Sequence, residues 1–494
     1  MSDRISRARW HGRGVFEPFH EEVKEELPKM KFCKENEGPD LGKRELKTLI
    51  TKGPKVTAAD FAMKWKDHKE EDSPSTTHEL TFDVKNGFDQ DYVYVSGLTV
   101  NMIARVDRKD PTKQNLFRFP AKEGRKAMPH TLRFANIKSE ALEGMLFVGL
   151  EEQGIIVKLD MKEIMIKYQA ELEEGTDPID LCENDYKTTY DVHISGDALP
   201  CPINTRPHGF CFDADHKNIW FTGKLTNTVG RIGIDGSPKS LQHFEIPTLG
   251  AVPIYIALGP DSNVWGTCLN SSIIFRATTG ERPIIDEISV SDVGKNRRPI
   301  AIKPDPKGRP FMWFSTEAGH SICRLDTNKF QKEVLKLTAK DKTGKCLCSP
   351  GCRYLFKSST VVRKVITEFP IPKINHKMKL GGLAISKDGA MWTQSYMDPT
   401  ENEIEKLPDY ILKLGFDTHF PTSTYDPSRS SVVNMTGVPI DYYELPTKDT
   451  ILHRIALAPD ESVWFTELQA DRLGTIKFEE RNFGTSSNKR RKIS

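Results

Sequence analysis

Three histidines of this chain stand in one local setting: Met-Pro-His at His130, Arg-Pro-His at His208 and Ile-Leu-His at His453. Each opens a short apolar run. An imidazole titrates near neutrality and suits general acid–base work. His208, His453 and His130 are therefore the expected catalytic residues. Arg206, next to Pro207, would be a fixed positive charge beside a developing oxyanion. Tyr255 lies next to the equivalent phase of another run, and Glu317 follows an aromatic pair. Arg206, Tyr255 and Glu317 are the expected substrate contacts.

The elements that must position these residues repeat. "RPHGFCFDADHKNIWFTGKLTNTVGRIGIDG" recurs in altered form from Met128, Val252, Arg298, Leu380 and Leu452, with a degenerate copy at Asp91–Asp110. Each copy reads as three short strands joined by Asp/Gly/Ser/Pro turns. A fourth strand follows in several, as in "HFEIPT" and "DYYELPT". Four antiparallel strands at a period of about 40 residues mark a propeller blade. The pattern predicts an all-β chain, a seven-bladed β-propeller over 78–478. Trp220, Trp265, Trp313, Trp392 and Trp464 pack between blades, and small residues such as Gly209, Ala257, Ala301, Gly382 and Ala456 lie on the innermost strands. The positions equivalent to the three histidines are Ile254, Ile300 and Gly381.

Outside the repeats, 1–77 reads as a charged, partly helical arm, with "FEPFHEEVKEELPKMKF" and "AADFAMKWKDHKEE" as its helical fragments. "HELTFDV", from His78, is expected to close the ring. Lys162–Thr205 and Lys329–Lys379 read as inter-blade insertions, and 479–494 as a disordered basic tail. With Lys+Arg at 71 against Asp+Glu at 69, the balance speaks against a nucleic-acid binder. No apolar run is long enough to span a bilayer. The polar N-terminus and nine cysteines read as reduced thiols point to an intracellular, cytoplasmic protein. "KRRK", Lys489 to Lys492, would serve as a nuclear localisation signal. Cys346, Cys348 and Cys352 are closely spaced but lack a Cys-x-x-Cys pair and an identifiable fourth zinc ligand.

"GPDSNVWGT", "APDESVWFTE" and "NTVGRIGIDG" resemble the blades of virginiamycin B lyase, or streptogramin lyase, over about Asp91 to Phe478. The resemblance implies a propeller whose channel histidine removes an α-proton, so that a cyclic ester opens by elimination. It also implies a magnesium ion held by two glutamates, one before Pro-His and one after the second-strand aromatics. Here those places in one blade hold Arg206 and Gly223, and in another Ile451 and Glu467, which leaves Glu467 as the expected metal ligand. The partner would be a small-molecule substrate. A second reading stays open, a non-catalytic propeller that binds a protein partner through its rim and insertions. Convergence of the three imidazoles on one pocket separates the two.

Overall fold

The computed structural model describes residues 56–65 and 76–478, apart from 136–138, 176, 197–198, 291–296, 339–354, 357–361, 363, 375–376, 398–407, 422–431, 434, 436 and 449. It also describes the strands Ala8–His11 and Val15–Pro18, which pair as a hairpin. Cys346, Cys348, Cys352 and the KRRK stretch lie outside the described residues.

Seven small antiparallel sheets form a seven-bladed β-propeller. Innermost strands are Thr77–Thr81 in blade 1, Pro129–Phe134 in blade 2, Pro207–Phe212 in blade 3, Pro253–Leu258 in blade 4, Pro299–Pro304 in blade 5, Met378–Ile385 in blade 6 and Leu452–Leu457 in blade 7. The strand that starts near His78 therefore opens blade 1 and does not close the ring. Closure falls to Val56–Ala62, which pairs along Arg472–Phe478 as the outermost strand of blade 7. That corrects the helical reading of "AADFAMKW", whose first five residues are strand. Likewise Val15–Pro18 puts the start of "FEPF" on a strand. Strands outweigh propensity here because the last blade otherwise has an open edge. Lys162–Thr205 is not all insertion either, since Tyr186–Asp191 is the outermost strand of blade 2.

The repeated residue types follow from packing between twisted sheets. Trp220 of blade 3 is fully buried against Ile256, Val264 and Phe275 of blade 4. Trp464 of blade 7 packs on Leu80, Val93 and Val95 of blade 1. The Val-Gly-Arg-Ile signature has a steric cause: a Cβ on Gly230 would lie 1.9 Å from the Phe221 ring on the neighbouring strand. Gly474 makes the same room for Phe465, at 2.0 Å. No helix among the described residues is long and apolar enough to cross a membrane.

One local feature of the fold positions the channel residues. In all seven innermost strands the register with the second strand slips by one residue, a β-bulge, just after the first position of the strand in six blades and just after Leu380, the equivalent residue, in blade 6. The slip displaces the second residue from its own ladder. In most blades its carbonyl is instead held by a hydroxyl of the blade before. Thr466 donates to the His78 carbonyl at 2.8 Å, Thr222 to Ile254 at 2.9 Å, Thr267 to Ile300 at 2.6 Å and Ser315 to Gly381 at 2.6 Å. Blade 2 has Gly149 in the hydroxyl's place, and Thr131 of its innermost strand donates to the His208 carbonyl instead. This accounts for the Thr or Ser after so many of the aromatic pairs.

Candidate functional site

The second positions carry His78, His130, His208, Ile254, Ile300, Gly381 and His453 in blades 1 to 7. Four imidazoles thus come from four consecutive blades, 7, 1, 2 and 3, and they meet. Ring centroids are 4.1 Å apart for His453 and His78, 4.0 Å for His78 and His130, and 3.9 Å for His130 and His208. The three expected histidines are brought together, and His78 fills the gap between them. It is concealed because Thr77 stands where blades 2 to 5 have proline, and because the turn to its second strand is long.

The hydrogen bonds assign the protons. Nδ1 of His208 lies 3.1 Å from the Ile254 carbonyl and must donate, so its Nε2 carries the lone pair. Thr131 spends its proton on the His208 carbonyl, so it accepts from His130 Nδ1 at 3.3 Å. Nε2 of His130 then faces the Glu151 carboxylate at 3.8 Å. His453 and His78 share one proton between their Nε2 atoms, 2.7 Å apart. His78, His130 and His208 are buried, His130 only 1% exposed and His208 8%, and His453 is half-buried. Burial holds all four imidazoles well below their ordinary pKa, helped by neighbouring positive charge: Lys224 acts on His208, and Arg454 on His453. At neutral pH the row is uncharged.

Arg206 does not join it. Its guanidinium pairs with Glu152 of blade 2. The cation near the row is Lys224, 3.4 Å from Glu151. Both Glu151 and Lys224 directly follow a second strand, Met145–Leu150 in blade 2 and Asn218–Gly223 in blade 3. Glu317 shares that place in blade 5 but bonds Arg298, at 2.7 Å, and the Tyr396 hydroxyl. Tyr255 follows the second position of blade 4, and the Arg454 guanidinium lies 4.6 Å above its ring.

Glu467 is fully buried, and neither carboxylate oxygen has a hydrogen-bond partner. Strand alternation puts it on the face of Phe465, toward blade 6, opposite Trp464 and Thr466. Burial first, then the nearby carboxylates of Asp60 and Asp409, push its pKa up to about 9. Its charged neighbours are Asp60, Arg472 and Asp409, not the histidines. With Arg206, Gly223 and Ile451 at the other three places, the residues present do not fit a magnesium ion held as the resembling family holds it. Among the described residues no group of three or more His, Cys, Asp or Glu is arranged for a metal.

No family model matches the sequence, and no curated protein does. Solved structures do. A streptogramin B lyase superposes with a TM-score of 0.51 at 17% identity, over 85% of this chain and 97% of that one. Virginiamycin B lyase from Staphylococcus aureus gives 0.50 at 18%, over 86% and 99%. A catalytically inactive histidine-to-alanine form of that enzyme, with quinupristin, gives 0.52 at 17%, over 86% and 99%. At such identities the likeness is one of fold, and the chain is a propeller of the same architecture as the streptogramin lyases.

Proposed function

We propose that the channel is the active site of a lyase-like enzyme that removes a proton next to a carbonyl in a cyclic ester, lactone or similar natural product. The observation that carries this reading is the convergence of His453, His78, His130 and His208 in one row, each ring within 4.1 Å of the next. Nothing in the propeller requires it, since Ile254, Ile300 and Gly381 serve at the same position elsewhere. His208 is the base. Its Nδ1 proton is fixed on the Ile254 carbonyl, which leaves Nε2 free to take the α-proton. The electron pair of the broken C–H bond becomes the new double bond, and the C–O bond breaks with its pair leaving on the carboxylate oxygen. Lys224 supplies the positive charge that the sequence suggested for Arg206. As negative charge grows on the substrate, the proton affinity of the depressed imidazole rises toward what the step needs.

Mass spectrometry tests the reading on cyclic esters and lactones, with quinupristin as one probe. Elimination opens the ring without changing its mass, and hydrolysis adds a water. A product heavier by one water, or full turnover by His208→Ala, would overturn the proposal.

A further inference from the structure

One residue further along the innermost strands, and two beyond that, a second layer of side chains meets. Arg454 of blade 7 lies over Tyr255 of blade 4, across the ring. Its Nε is 3.1 Å from Glu79 of blade 1, and Arg133 of blade 2 reaches the other Glu79 oxygen at 3.5 Å. Lys303 of blade 5 feels the charges of Arg133, Glu79 and Arg454. Side chains from blades 1, 2, 4, 5 and 7 can act on one another only near the ring axis. The layer holds the cations Arg133, Lys303 and Arg454 against the single carboxylate of Glu79. Both arginines already share that carboxylate. Lys303 makes no ion pair among the described residues, and is only half-buried, as is Arg133.

We propose that this layer is a binding site for a small oxyanion, a carboxylate or a phosphate, held by Arg133 and Lys303 with Arg454 behind them. Guanidinium forks suit planar or tetrahedral oxyanions, and an ammonium adds a point charge. Burial, and then the repulsion of Arg133, lower the Lys303 pKa to about 8, which is the behaviour of a cation short of a counter-ion. Binding of an oxyanion here does not require the reaction assigned to the histidine row.

Calorimetric titration of the full chain with inorganic phosphate and, separately, malonate at pH 7 tests the site and distinguishes the two oxyanions. The ionic strength is matched with sodium chloride. Saturable binding of one or both is expected, weakening above pH 8 as Lys303 loses its proton. Lys303→Met should lower the affinity about 10–100-fold, and Lys303→Arg should keep it. Brief acetic anhydride labelling gives a second readout without any variant. Lys303 should acylate early in the free protein and be protected by the bound anion. Heat no greater than that of chloride, undiminished affinity in Lys303→Met, or Lys303 labelling indifferent to the anion would each overturn the proposal.

Discussion

Blades 7, 1, 2 and 3 place histidine at the second position of the innermost strand, whereas blades 4, 5 and 6 place Ile254, Ile300 and Gly381 there. The backbone is the same on both arcs. Each strand carries the bulge, and the hydroxyl that catches the second carbonyl serves His78 and Ile254 alike. On the apolar arc Ile254 is buried in core, and the space beside Gly381 is taken by Gln394, whose atoms would lie 2.8 Å from an added Cβ. One ring thus contains its own control. Position and backbone geometry belong to the fold, and the imidazoles are an addition that the fold does not need.

The widest separation between the arcs should come from His208→Ala against Ile254→Ala. A general base contributes about 10²–10⁴-fold, so His208→Ala should lose that much turnover in the elimination assay. Ile254→Ala should leave the turnover of the folded fraction intact and lower stability by about 2–4 kcal/mol, read by denaturant titration. Equal losses of turnover in both would erase the distinction. Packing between blades, in contrast, should be even around the ring. Trp464→Ala, at the junction of blades 7 and 1, and Trp265→Ala, at that of blades 4 and 5, should each cost about 3–5 kcal/mol. A large difference between them would show that one arc carries the stability.

The two sides of the ring should also fail at opposite ends of the pH scale. The histidines stay neutral when folded and charge below about pH 6.5 when unfolded, so their contribution is present above that value and lost as pH falls. Glu467, between blades 6 and 7, works the other way. With a folded value of about 9 it keeps its proton long after the unfolded chain has released it. Its contribution is complete below about pH 4.5 and is lost as pH rises toward 9. Glu467→Gln should match the parent at pH 5 and be more stable by about 1–3 kcal/mol at pH 9, measured by thermal melts across pH. A constant difference at all pH values would place the titrating group elsewhere.

Much of this was legible because it repeats. Turn residues, Trp-Phe pairs and glycines opposite phenylalanines keep phase, so the ring and three of the four histidines could be read from spacing alone. His78 lacks the proline that precedes His130 and His208, and its blade lacks the Trp-Phe pair that marks the blade of His453. Glu467 was legible as a residue but not as a direction. The period of two that buries Phe465 toward blade 6 carries the carboxylate to the same side. Glu151 and Lys224 sit in turns, where no periodicity marks a residue as facing the channel. The closing strand was hidden for a different reason, since Val56–Ala62 gains its partner some 400 residues later in the chain.

Arg206 gives the smallest effect and the closest comparison. It precedes Pro207 with a φ of 51°, and Arg298 precedes Pro299 in blade 5 with a φ of 48°. Each pairs with a glutamate, Arg206 with Glu152 and Arg298 with Glu317. Blade 5 has Ile300 and no histidine at the second position, so an arginine before proline serves the turn on both arcs and not the chemistry of one. The pairs are partly exposed, and such pairs are worth about 0–1 kcal/mol. Arg206→Ala and Arg298→Ala should therefore lower stability by similar amounts within that range and leave turnover within a few-fold of the parent. Lys224→Ala should lower turnover well beyond that, because it removes the positive charge assigned to the growing negative charge on the substrate. A loss from Arg206→Ala as large as that from Lys224→Ala would return the arginine to the active site and break the equivalence of the two blades.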